Sequence, residues 1–572
     1  MLQKRLLAIL GVFALVFAAC GTAATPSPSA SESAAAPSES ASAAASETPS
    51  GPPLAANQVL RWDLAGEPPT LDPNMAQDST SIEIMRATQR PLTYFDKDLN
   101  VVPSLAASWD WSADSKTVTF HLVDAKYSNG DPIVAGDLVY SWKRLLDPRT
   151  AAPYAYIIGD VAGAGDLLAL AGKDPAATDA EITAALGKLG VAAPDDKTFV
   201  VTLAHPATYF LDIAANWATG PVQEKWITQK NATEAANYVS SGPFILATWE
   251  HNSKIVLKPN PNWYGTKPIL TEIDMTLLTD PAAAQAAFEA GEADEVFTPT
   301  DDIKRIKADP TLGPMVKEIP QLGIAYYGFN NKTGPLANKD CRMALAQSVD
   351  KDALLEVGWG GTGIVANSII PPGMAGYQPD LGPKYDLAAA KTAFAACLSG
   401  LGLSDVSKFP KLKFGYNSGA GHETRVQFIA DQWKKNLGVQ TDLQGLEWAT
   451  FLTKRHAGEF DVSRNAWGAD YPNPRTFLND LFYSTSGNND EQYANKAYDA
   501  LIDQAAAEVD PAKQTDLYNQ AQTMLMADIP MIPLRWPSII FEVQPYVNLT
   551  PTALDNNNYG DQLLELAFIT QH

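Results

Sequence analysis

The stretch Asp461–Phe482, DVSRNAWGADYPNPRTFLNDLF, gathers the residue types best suited to holding a charged ligand. A strand-like run passes through Trp467, Gly468 and Ala469 to a single carboxylate at Asp470. Tyr471 follows, and Pro472 and Pro474 break the pattern before an apolar helical start. Main-chain polar groups are free at a strand-to-loop junction, indole and phenol rings can wall a pocket, and prolines stiffen the loop. Such a stretch can offer one negative charge to a cation. Asp is also common in turns and helix caps, so the stretch alone leaves both roles open. A second candidate is Asn417-Ser418-Gly419-Ala420-Gly421-His422, which follows a predicted strand, where ligand-facing loops of α/β sheets sit. Asn417 and Ser418 are its ligand candidates, against the alternative of a solvated loop. Trp448 and Tyr154 join Trp467 and Tyr471 as aromatic candidates for a cleft wall.

Other chemistry is poorly supplied. The 6 histidines, at 121, 205, 251, 422, 456 and 572, show no H-E-x-x-H spacing, so no metal site is expected. No G-x-S-x-G elbow and no P-loop occurs, so neither enzyme activity nor a cofactor is expected. Spacing cannot exclude a spatial pair of carboxylates, which keeps a surface glycan- or peptide-acting enzyme as an alternative. The 42 Lys and Arg against 65 Asp and Glu give a net charge of −23, with no basic stripe, which argues against nucleic acid as a partner.

The elements that position these residues begin with an export signal. Lys4 and Arg5 precede an apolar run, Leu6 to Ala19, that is short for a membrane span and ends at Cys20. The arrangement Phe17-Ala18-Ala19-Cys20 resembles a bacterial lipoprotein signal, which implies lipidation of Cys20 and attachment to the membrane through that anchor. Residues 21–56 are nearly all Ala, Ser, Pro, Glu, Thr and Gly, too apolar-poor to fold, and read as a flexible tether. The remaining chain is long enough for several folding units.

Its order of segments is informative. A strand at Gln58–Leu64 leads to Gly66-Glu67-Pro68-Pro69-Thr70-Leu71-Asp72-Pro73 and a helix at Ser81–Arg90. There follow Pro103-Ser104-Leu105-Ala106 with Trp109, then Asp114 to Leu122 with Ser115 at a turn. Next come Tyr127-Ser128-Asn129-Gly130-Asp131-Pro132 and a helix opened by Asp137, then Ser240-Ser241-Gly242-Pro243-Phe244 and a helix from Ala283 stopping at Gly291. From Ile319 the pattern restarts: Phe329-Asn330, a helix carrying Asp340 and Arg342, a helix from Tyr385, strand Leu412–Asn417, helix Thr424–Leu437, strand Gln440–Leu443, helix Tyr498–Met526 and Pro530-Met531-Ile532-Pro533-Leu534. The alternation of strands and helices predicts a mainly parallel sheet with covering helices.

These ordered segments resemble the extracytoplasmic peptide-binding subunits of ABC importers, the family 5 solute-binding proteins. The resemblance implies a two-lobed α/β fold of the periplasmic-binding-protein type II, with an extra subdomain and a ligand cleft between the lobes. It places lobe I at 57–96 and 221–318, the subdomain at 97–220, lobe II at 319–534 and the return to lobe I at 535–572. In that family W-x-x-D-Y-x-x-P supplies an aspartate for a peptide's α-ammonium, and Trp467-Gly468-Ala469-Asp470-Tyr471-Pro472-Asn473-Pro474 carries the same elements. A peptide ligand, a membrane permease as partner and a monomeric state follow as expectations. Relatives that take metal chelates, haem or sugars keep a non-peptide solute as the alternative. With Cys20 lipidated, Cys341 and Cys397 remain, and export favours a bridge between them over two buried thiols.

Overall fold

The computed structural model describes residues 53–173, 176–299, 302–418, 421–550 and 563–572, so Cys20 and nearly all of the tether lie outside the described residues. The first lobe is built around Val59–Asp63, whose Leu60 and Trp62 are fully buried. It sits centrally in a seven-stranded sheet in the order 316–320, 538–543, 295–297, 59–63, 272–276, 254–259, 244–250. The helix Pro281–Glu289 starts where Asp280 accepts from Ala282 N–H at 3.0 Å with proline in the first turn. It is followed by Gly291 at φ +73°, a backbone setting that glycine reaches without strain.

A subdomain grows out of this lobe as a four-stranded antiparallel sheet, Ala106–Trp111, Thr117–Leu122, Thr198–Thr202 and Val191–Asp195. The helix Ala135–Leu146 covers it. Its Trp142 meets Phe199 and Phe210 edge-on at 5.1 and 5.8 Å, the favoured arrangement for aromatic rings. That helix begins two residues before Asp137, whose carboxylate accepts from Val134 N–H. Ser115 occupies the turn at φ +54°, a left-handed setting in which a β-carbon is disfavoured.

The second lobe carries a six-stranded sheet ordered 364–365, 531–536, 323–329, 462–468, 412–417, 441–446. Its helices Lys339–Gln347 and Leu387–Gly400 are joined by the Cys341–Cys397 disulfide, with Cα atoms 4.7 Å apart and both cysteines buried. Arg342, also buried, donates to the carbonyls of Leu336, Ala337, Asp528 and Ile529, tying loops together rather than facing a ligand.

The fold is the two-lobed α/β architecture that the resemblance implies, but two local expectations are corrected. The sheets are mixed rather than mainly parallel. In the second lobe the 323–329 strand is antiparallel to both neighbours, and only the 412–417 strand pairs in parallel. Strand–helix alternation does not reveal from which side a strand enters, and here the 323–329 strand enters from the other lobe while the 531–536 strand leaves toward it. The helix expected over Tyr498–Met526 is two helices, Lys496–Ala507 and Pro511–Asp528. Asp510 caps the second by accepting from Ala512 N–H, and Pro511 suits a first turn but not an interior.

The chain passes between the lobes at Gln321–Leu322 and again at Pro537. These crossings run side by side, with Gln321 N–H donating to Pro537 O at 2.8 Å. Among the described residues no helix is long and apolar enough to cross a membrane.

Candidate functional site

The Val462–Gly468 strand organises the site. One edge pairs with Gly323–Phe329 over its whole length, while the other meets Leu412–Asn417 only at Val462 and Ser463. The 412–417 strand instead stays with Thr441–Leu446, so from Arg464 onward the second edge carries no strand among the described residues. Such an edge presents unpaired N–H and C=O groups, a template for an extended chain.

Asp470 lies two residues beyond the strand end. Its N–H approaches Thr476 Oγ1 at 3.4 Å, and the same oxygen accepts from Trp467 Nε1 at 3.1 Å. Its carboxylate caps no helix, since Pro474 holds the cap position of Arg475–Phe482. It accepts instead from Tyr156 Oη of the subdomain at 3.5 Å, a long and therefore weak bond. Burial, reinforced by the neighbouring Asp480, pushes Asp470 up to about 7.

A cavity of about 200 Å³ opens beside it, lined by Tyr156, Asp160, Trp467, Tyr471, Arg475 and Asp480. Its acids are unequally partnered. Asp160 accepts from Tyr209 Oη at 2.9 Å and pairs with His205 at 3.0 Å. Burial acts to raise Asp160, but His205, Arg475 and Tyr209 outweigh it and hold it below the usual carboxylate range. Asp480 accepts from Tyr471 Oη at 3.3 Å, and burial raises it to about 6 against the pull of Arg475. The Arg475 guanidinium lies 4.5 Å over the Tyr209 ring, which stacks on Tyr471. The Arg475 guanidinium thus serves Asp160 and Asp480 but not Asp470, which is the acid of this cavity with least internal compensation. On its other side a recess of about 30 Å³, water-sized, includes Asp212, which burial raises to about 7.

The strand's opposite end is cationic. Arg464, Arg425, Arg535 and His422 line a cavity of about 510 Å³ between the lobes, closed on the far side by Phe297, Thr298 and residues 538–540. His422 Nδ1 faces Arg425 Nη1 at 3.1 Å and must accept there, so its proton resides on Nε2. Burial, with Arg464 and Arg425 adding to it, lowers His422 to about 4, leaving it neutral. Arg464 has no hydrogen-bond or ion-pair partner among the described residues, and burial lowers it to about 10.

Trp467 and Tyr471 therefore join Asp470 at one cavity, Tyr471 only 5% exposed. Gly468 pairs with Gly323 beside the lobe crossing. Ala469 does not reach the cavity: it is fully buried in the lobe core, with its N–H on Leu322 O at 2.7 Å. Asn417 ends its strand with a buried Oδ1 that has no hydrogen-bond partner among the described residues, and Ser418 is exposed with its N–H on Leu446 O. Trp448 begins the helix Trp448–His456, and its side chain lies outside the description. Sequence reasoning missed Tyr156, Asp160, Arg464, Arg425 and Arg535. Only Arg464 carried a local signal, sharing the parity of Asp470 along one extended run.

The chain is similar to known proteins along most of its length. Residues 100–489 match the family described as bacterial extracellular solute-binding proteins, family 5, middle region. The periplasmic murein peptide-binding protein MppA of Escherichia coli is 34% identical over 500 residues, covering 86% of this chain and 89% of its own length. The oligopeptide-binding protein OppA of Bacillus subtilis is 32% identical over 490 residues, covering 83% and 87%. The solved unliganded open form of the murein tripeptide-binding protein MppA superposes with a TM-score of 0.78 at 30% identity, covering 92% of this chain and 99% of that one.

Proposed function

Because this chain belongs to the family 5 bacterial extracellular solute-binding proteins, we propose that it captures peptides between its lobes and delivers them to the permease of an ABC importer. The observation that carries this reading is a bipolar strand: an undercompensated carboxylate at Asp470, an unpartnered guanidinium at Arg464 and an open backbone edge between them. Asp470 takes the peptide's α-ammonium, Arg464 and the Nε2–H of His422 take its carboxylate, and the strand edge bonds its main chain without reading side chains. The poles are six positions apart, at most about 20 Å along a strand, which suits extended peptides of up to about six residues. Trp467 and Tyr471 brace the Asp470 loop and wall the ammonium end. Asn417, with Ser418 beside it, flanks the open edge.

Ligand binding closes the lobes about the paired crossings at Gln321 and Pro537, and the closed form is what the permease reads. In this reading the chain performs no covalent chemistry, acts as a monomer and needs no cofactor. A lipid on Cys20, followed by the tether, holds it at the extracytoplasmic face of the membrane. Calorimetry with tetra-alanine and its N-acetylated form tests the ammonium assignment. Acetylation is expected to weaken binding at least tenfold, and equal affinities remove Asp470 from the ligand.

A further inference from the structure

The cationic cavity holds more charge than one peptide terminus can answer. Three guanidiniums line it, and among the described residues no carboxylate does. The shortage is not compositional, because the chain carries 23 more acidic than basic residues and pairs other arginines, such as Arg144 with Asp72 and Arg305 with Asp302. Arg425 donates Nε to Gly358 O at 2.8 Å and lies 4.9 Å from the Trp359 ring centroid. Arg535 donates Nε to Thr362 O at 2.9 Å and Nη2 to Thr362 Oγ1 at 3.0 Å, and lies 5.4 Å from the same centroid. Both are thereby fixed, close to each other, on neutral partners and an indole face. The acids that act on them from outside are Glu423 on Arg425 and Glu318 on Arg535. Glu318 is itself paired with Lys307 at 2.8 Å. Tyr327, within the field of Arg425 and Arg464, has a buried hydroxyl with no hydrogen-bond partner. A guanidinium cannot shed its charge as a carboxylate can, so three of them gathered in a half-buried cavity repel one another until anions arrive. A terminal carboxylate engages one fork bidentately and leaves two unanswered.

We propose that Arg425 and Arg535, held on Trp359, form a second anionic subsite beside Arg464, so that the preferred ligands are peptides with an acidic side chain at their carboxyl end. This rests on the peptide reading above and deepens it by naming the ligand class. The two anions of such a residue, side-chain and terminal carboxylate, are a few Å apart, matching neighbouring forks on one cavity wall.

The test is calorimetry of the full chain with Ala-Ala-Ala-Glu and Ala-Ala-Ala-Gln, which differ only in that charge. The wild-type protein is expected to prefer the Glu peptide at least tenfold. In Arg425→Gln and in Arg535→Gln the Glu-to-Gln preference is expected to fall below threefold. Wild-type affinities within threefold of each other overturn the second subsite while leaving the peptide reading intact. Failure of both peptides to bind overturns the two together. The wild-type comparison needs no variant, so a variant that fails to fold does not shield the proposal.

Discussion

The two ends of the Val462–Gly468 strand meet burial in opposite ways. At the acidic end, the buried carboxylates of Asp470 and Asp480 answer desolvation by raised proton affinity: Asp470 moves to about 7 and Asp480 to about 6. At the basic end, Arg464 and Arg535 are lowered only to about 10 and stay charged at any physiological pH. An aspartate relieves desolvation by taking up a proton; an arginine has no such outlet within reach. One pole of the site is therefore adjustable by pH and the other is permanent.

The largest expected effect breaks the permanent pole. Arg464→Gln removes the unpartnered guanidinium and is expected to weaken free-carboxylate peptides about a hundredfold, the scale of a charge-assisted bidentate pair. Carboxyl-amidated peptides, already lacking that anion, are expected to lose less than fivefold. Equal losses for both kinds, measured by calorimetry, would place Arg464 in the scaffold rather than against the ligand.

A smaller effect exposes the adjustable pole. With Asp470 near 7 in the free protein, an ammonium ligand must displace a proton at lower pH. Affinity is expected to fall about twentyfold between pH 7.5 and pH 5.5, approaching one decade per pH unit. His422, lowered to about 4, remains neutral throughout this window and cannot mimic the trend. Asp470→Asn should abolish most of the dependence, and a wild-type profile flat over the same range would refute the assignment.

The smallest effect concerns the empty protein. Asp470 has a folded-state value above its unfolded one, so its contribution to stability is present below about pH 4 and is lost as pH rises through about 7. Asp470→Asn has nothing to lose. It is expected to match the wild type near pH 4 and to exceed it by about 1–3 kcal/mol at pH 8 in urea unfolding without ligand. Asp480 and Asp212, raised to about 6 and 7, are present in both proteins, so the difference between them reports Asp470 together with its coupling to Asp480. A variant less stable than wild type at pH 8 would mean that the carboxylate holds the loop together.

Much of the fold was legible because its signals are local. The Val59–Asp63 strand, the stop at Gly291, the helix ending at Leu437 and the strand ending at Asn417 each follow from periodicity, a cap or a turn residue within a few positions. The antiparallel share of the sheets was not legible, because it depends on where the chain re-enters after crossing between lobes. Half of the candidate site could be proposed from sequence for the same reason: Asp470, Trp467 and Tyr471 lie within five residues on one strand end. Ala469 shows the limit, since its neighbours face the cavity while its own side chain enters the core.

By itself the sequence determined the sign and place of one charge, the strand that carries it, the signs of export and the family to which the chain belongs. Only the tertiary structure decided what surrounds that charge. Tyr156 reaches Asp470 across 314 positions of chain, and Arg425, Arg464 and Arg535 converge on one cavity from a helix and two strands. A turn or a cap is settled among adjacent residues, but the net charge of a cavity sums groups from distant segments. Whether a buried carboxylate or guanidinium is compensated is therefore decided only when the lobes and subdomain are packed together.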